Sequence, residues 1–177
     1  MTASSTSPTE TETPLSLLFP DLESELATTR RVLERVPDGK NDWRPHEKSM
    51  TLDGLATHLA QLPGFGLAML TTDEFDVGSA SRPKVTNSAE RMKLFDNLAA
   101  EVRKSFGELT WDRARATWKM TFGDRVVFNG PRAVMLRSAL ITHMAHHRAQ
   151  LGVYLRLLGI PIPGSYGPSA DEALGVK

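Results

Sequence analysis

The chain has 177 residues, of which 40% are hydrophobic, enough for one domain with a full core. Its 21 basic residues balance 21 acidic ones, so no field of one sign draws a polyanion, and neither nucleic acid nor a membrane surface is an expected partner. There is no cysteine, which excludes disulfides, thiolate metal ligands and a protein thiol nucleophile, and leaves any metal chemistry to histidine and carboxylate.

The opening Met1 to Thr13 is rich in Ser, Thr, Pro and Glu and lacks the basic start and apolar run of a secretory signal. It is expected to be a disordered tail ahead of a single domain, residues 14–177. No apolar stretch reaches the roughly 18 residues that crossing a bilayer requires, so the cytoplasm is the expected compartment. From Pro14, which suits a helix start, Leu15, Leu18, Leu22, Leu26, Leu33 and Val36 recur at helical spacing until Pro37-Asp38-Gly39. Asn41 to Met50, with Trp43, Pro45 and His46, has no period and reads as a connecting loop. Ser49 or Thr51 then caps a second helix from Leu52 to about Thr71, with Leu55, His58, Leu59 and Leu62 on one stripe and a kink or break expected at Pro63-Gly64.

Asp73 to Thr86 reads as a long surface loop. A third helix starts at Ser88 and stops near Gly107, its stripe being Met92, Phe95, Leu98, Ala99, Val102 and Phe106. Trp118, Met120 and Phe122, then Val126 and Phe128, alternate around Gly123-Asp124, the one hairpin signal in the chain. Pro131 opens a fourth helix that continues to Leu158, before Gly159 and two prolines. The tail Ile160 to Lys177 is irregular apart from one expected turn at Ser169 to Ala173. With no internal repeat, these segments predict an all-α fold: a four-helix bundle with a long crossover loop and a short irregular or hairpin insertion before the last long helix.

Histidines stand at 46, 58, 143, 146 and 147. His143 and His147 are one helical turn apart on the stripe that holds Leu136, Leu140, Leu151, Tyr154 and Leu158, so both imidazoles face inward, while His146 is rotated about 100° away from His147. Two imidazoles rarely hold an ion alone, and His58, between Leu55 and Leu62 on its own buried stripe, supplies a third from a neighbouring helix. Three neutral ligands leave a coordination position open, as catalytic sites do. Zinc, nickel and ferrous iron all accept imidazole, and manganese is a further candidate. The plainer alternative is that each is a hydrogen-bonded core histidine. His146 is either a supporting residue or an alternative ligand.

The segments DWRPHEKSMTLDGLATHLAQLP (Asp42 to Pro63), ITHMAHHRAQLGVYLRLLGIPIPG (Ile141 to Gly164) and YGPSADE (Tyr166 to Glu172) resemble the DinB-like superfamily of bacterial four-helix-bundle metalloproteins. That superfamily includes transferases and isomerases that use mycothiol or bacillithiol. The resemblance carries its three histidine ligands onto His58, His143 and His147. It implies one divalent ion, zinc or nickel foremost, a homodimer packed through helix faces, and an association with stress response. Asp73 to Asn129 matches only in general character, so substrate-contacting elements are not carried over.

Other residues have two readings. Tyr154 can donate its hydroxyl to a developing oxyanion or serve as a core aromatic, and Gln150 can orient a coordinated water or bind an anionic substrate. Any general base must come from Tyr154, His46 or water. Arg148 reads as an interhelical hydrogen-bond partner, and Trp43 as a cover over the bundle end. Tyr166 and Asp171 belong either to a lid over the metal or to a loop closing the bundle, and Asp21, Glu23 and Glu25 read as a solvated stripe. Two functions follow. One is a metal-dependent thiol S-transferase or hydrolase acting on a small-molecule substrate, with a low-molecular-weight thiol as cosubstrate. The other is a non-catalytic, stress-associated metal- or ligand-binding protein.

Overall fold

The computed structural model describes residues 12–80 and 83–172; the expected disordered tail up to Thr11 and the Ala173 end of the expected last turn lie outside the described residues. In chain order the elements are α1 (Pro14–Leu18), α2 (Leu22–Leu33), α3 (Leu52–Thr71), β1 (Glu74–Asp76), α4 (Ser88–Gly107), α5 (Trp111–Arg115), β2 (Thr117–Phe122) and β3 (Arg125–Pro131). A last rod follows without a gap: α6 (Arg132–Leu136), a π-helical turn (Arg137–Thr142) and α7 (His143–Leu157). The class is all-α with a small sheet inserted ahead of the last helix, as the pattern predicts.

The first helical stripe is divided in two. Pro20 bars the residue before it from the α region, and Phe19 accordingly sits at φ −135°, ψ 44°. Phe19 is nonetheless buried, edge-on to Phe106 with ring centroids 4.9 Å apart. The Arg137 guanidinium spans the break, bonding the Leu18 carbonyl and the Asp21 carboxylate. α3, in contrast, runs unbroken through Pro63, although proline removes one backbone bond and costs about 3 kcal/mol in a helix interior. Leu62 and Pro63 are both buried, and packing of this nearly all-apolar helix offsets the loss. Thr51 caps its start through the Gly54 N–H, and Gly66 brings it close to the last rod: a Cβ there would stand 2.6 Å from Leu140 Cδ2.

The predicted hairpin is present as β2 and β3, turning at Gly123 with φ 56°. The segment expected to be pure loop contributes β1, which pairs parallel to β2 and completes a three-stranded sheet in the order β1-β2-β3. Three residues are too few to show a period; tertiary bonds make this strand, with Asp76 Oδ1 accepting from Gly78 N–H at 2.9 Å and Gly123 N–H at 3.0 Å. Arg132, fully buried at the sheet-to-helix junction, ties the insertion to the end of α3 through the Met69 and Thr72 carbonyls and the Asp73 carboxylate.

The core lies between α2, α3, α4 and the last rod, with Leu26, Leu55, Leu59, Phe95, Val102, Leu136, Leu140, Leu151 and Leu155 all buried. One expectation for α2 is corrected. Glu25 is not on a solvated stripe: it is buried and accepts from buried Arg148 Nη1 at 2.7 Å. The helix turns the carboxylate inward because a cation from α7 awaits it, a pairing that a one-helix hydropathy pattern cannot contain. No helix among the described residues is long and apolar enough to cross a membrane.

Candidate metal centre

α3 supplies His58, and the start of α7 supplies His143 and His147, all three half-buried. One nitrogen from each lies within 4.8 Å of the others, the group of histidine, aspartate and glutamate ligands that the described residues bring together. His143 Nε2 is 2.8 Å from His147 Nε2 and 3.5 Å from His58 Nε2. A tetrahedral ion with bonds of about 2.1 Å to imidazole places its ligand nitrogens roughly 3.4 Å apart. The His58–His143 separation matches that spacing, the His143–His147 one is shorter, as an angle of roughly 90° at the ion would give, and the donor set suits a divalent ion.

The electrostatics favour neutral rings at His143 and His147. Burial lowers the pKa of His143, aided by the proximity of His147 and His146 and opposed by a hydrogen bond to the backbone of Ala139. Burial likewise lowers that of His147, opposed by its bond to Gln150 and aided by His146. A neutral imidazole is the form that ligates. His146 is exposed, its ring edge-on to that of His147 at 4.8 Å, beside the cluster rather than within it.

The other expected site residues fall in three places. Gln150 is exposed, with Oε1 2.7 Å from His147 Nδ1. Tyr154, seven residues beyond His147 and so roughly 10 Å further along the helix axis, gives its hydroxyl to the Met50 carbonyl at 3.2 Å and its ring edge to Trp43. His46 is exposed in the 41–50 loop, accepting the Lys48 N–H on Nδ1 at 3.1 Å. Arg148 is the interhelical partner the sequence suggests, holding the Glu25 carboxylate and carbonyl and the Thr29 hydroxyl.

The C-terminal segment packs against α7 and reaches α2, where Arg31 bonds the Gly164 carbonyl. Asp171 holds Arg156 and the Ile162 N–H, Glu172 takes the Gly164 and Ser169 N–H groups, and the Tyr166 ring sits 5.1 Å from the Arg148 guanidinium. The π-helical turn ahead of His143 leaves no mark in the residue pattern, since no side-chain period records one extra residue in a helix.

A helical bundle whose last rod turns two histidines toward a third on a neighbouring helix defines a class of bundle with an internal histidine group that could hold a metal ion. The chain belongs to the DinB family, whose profile matches residues 9–174. It is 25% identical over 150 residues to the Bacillus subtilis protein YrdA, across 85% of this chain and 86% of that one. Its fold is similar to that of the DinB-like protein YjoA of Bacillus subtilis, with a TM-score of 0.66 at 16% identity, covering 84% of this chain and 96% of that one. A DinB-like protein from Bacillus cereus gives a TM-score of 0.63 at 19% identity, over 84% and 95% of the two chains.

Proposed function

We propose that this protein is a metal-dependent enzyme of thiol S-transferase or hydrolase type, with His58, His143 and His147 holding one divalent ion. The observation that carries the reading is the convergence of three half-buried imidazole nitrogens in a chain without cysteine. A bound divalent ion supplies Lewis acidity that lowers the pKa of a coordinated thiol or water. The protein's own part is to point three rings at one volume, to favour the neutral form of His143 and His147, and to offer no thiolate of its own to compete with a thiol cosubstrate. Zinc and nickel lead among the candidate ions, the substrate is a small electrophile or ester, and a homodimer in the cytoplasm is the proposed working form.

A second reading, a non-catalytic metal- or ligand-binding protein, draws support from Tyr154, whose hydroxyl is engaged by the Met50 carbonyl. The two readings differ in what metal does. Elemental analysis of untagged protein should find one ion per chain, lost in His58→Ala and His147→Ala. Ligand at 100 times its Kd adds about 2.7 kcal/mol, worth roughly 5 to 11 °C in Tm for a chain of this size. Turnover of a thiol with chlorodinitrobenzene, or of simple esters, that depends on the ion supports the enzyme. Absence of turnover across a broad panel, with the thermal shift intact, supports the binding protein.

A further inference from the structure

An imidazole can ligate through Nε2 only if its ring proton sits on Nδ1, and something must hold it there. His143 and His147 each have such an acceptor, of a different kind. For His147 it is the Gln150 side chain, three residues on, with Oε1 2.7 Å from Nδ1. For His143 it is a backbone carbonyl made available by the π-helical turn. In an α-helix the His143 backbone N–H would bond to Ala139, four residues back. Here it bonds to the Leu140 carbonyl instead, and the imidazole makes the hydrogen bond to the Ala139 backbone. Since Nε2 of His143 is turned toward the other two rings, Nδ1 is the nitrogen that reaches Ala139.

We infer that Gln150 and the Ala139 carbonyl are positioning groups that hold His147 and His143 in the Nδ1–H form, leaving two Nε2 lone pairs aimed into the volume shared with His58. With both ring protons engaged elsewhere, the facing Nε2 atoms stand 2.8 Å apart with no proton between them. Two lone pairs at that distance repel unless a cation lies between them, so the two acceptors tune the rod for a positive ion. Gln150 thereby acts through His147 rather than on substrate. The role rests on the metal-binding reading, and its test begins without metal so that the two can fail separately.

In metal-free protein, long-range 15N–1H correlation spectra should show both rings as the Nδ1–H tautomer. Gln150→Leu should move His147, and not His143, toward the Nε2–H form. The same variant should weaken Zn2+ binding about 10- to 100-fold against a competing chromophoric chelator. Gln150→Glu, which keeps the acceptor, should retain both the tautomer and the affinity. Because Gln150 is exposed, the metal-free melting temperature should not move. If His147 is Nε2–H in the unmodified protein, or Gln150→Leu leaves tautomer and affinity unchanged, the inference is overturned. If the unmodified protein shows the Nδ1–H pair but binds no Zn2+, the positioning stands and the metal reading falls.

Discussion

Replacing Glu25 by glutamine keeps the shape and one acceptor but removes the charge that faces Arg148. The side chains are 5% and 1% exposed, and Arg148 Nη1 rests on three oxygens: Glu25 Oε2 at 2.7 Å, the Glu25 carbonyl at 3.2 Å and Thr29 Oγ1 at 3.1 Å. Arg148 Nη2 is buried without a hydrogen-bond partner, so the carboxylate is the main compensation for this guanidinium. Breaking a buried pair from one side costs about 3 to 5 kcal/mol because a bare charge remains. That is a large fraction of a total near 5 to 15 kcal/mol. At about 2 to 4 °C per kcal/mol for a chain of this length, Tm should fall by roughly 6 to 20 °C. Glu23→Gln provides an internal control on the same helix: its partner Arg103 is 41% and Glu23 itself 68% exposed, and such a pair is worth about 0 to 1 kcal/mol. Urea and thermal unfolding followed by circular dichroism would report both variants. The double variant Glu25→Met with Arg148→Met should recover most of the loss, since apolar packing replaces buried ion pairs at little cost. A Glu25→Gln loss no larger than that of Glu23→Gln would refute the argument.

Two further outcomes follow from the same contacts. Gly66→Ala should cost about 1 to 3 kcal/mol through overpacking against fully buried Leu140, less about 1 kcal/mol of gained helix propensity. Adding Leu140→Val should restore stability in a urea titration, and a Gly66→Ala variant that is stabilised on its own would show that the two helices separate freely. Arg156 and the Ile162 N–H hold the Asp171 pKa down, from 3.8 to about 2. A depressed carboxylate stabilises the fold fully above pH 3.8, and its contribution is lost as the pH falls through about 2. The Ile162 amide resonance should therefore titrate near pH 2, and a midpoint near 3.8 would show that the tail is not clamped.

The legible part of this molecule is what a single element states about itself. The inward stripes of α3, α4 and α7, the Thr51 cap, the stop at Gly107 and the Gly123 turn all appear in the chain as period, capping residue or glycine. The histidine group was legible for the same reason: His143 and His147 share a face by spacing alone, and His58 lies on the apolar stripe of its own helix. What escaped were features decided by a second element. Glu25 looks like a surface residue until Arg148 is placed beside it, β1 is a strand because β2 is next to it, and Pro63 is tolerated because its helix is packed. Phe19 is the exception: Pro20 marks the break locally, but the regular leucine spacing across it masks the signal.

The centre inherits its precision from contacts that are not part of it. His58 and His143 come from different helices, so the 3.5 Å between their nitrogens is set by how α3 meets the last rod. That meeting is governed where bare Gly66, roughly two turns beyond His58, receives Leu140, three residues before His143. The roll of α7 about its axis is set by Arg148, adjacent to His147 and bonded into α2, and its far end by the Tyr154 hydroxyl on the Met50 carbonyl. A shift at any of these anchors changes a ligand separation before it exposes any ligand. Imidazole ligation tolerates only a few tenths of an ångström in bond length. Substitutions at Gly66 and Glu25 should therefore weaken metal binding at temperatures where the protein is still folded, whereas a change of equal thermodynamic cost in the sheet should not.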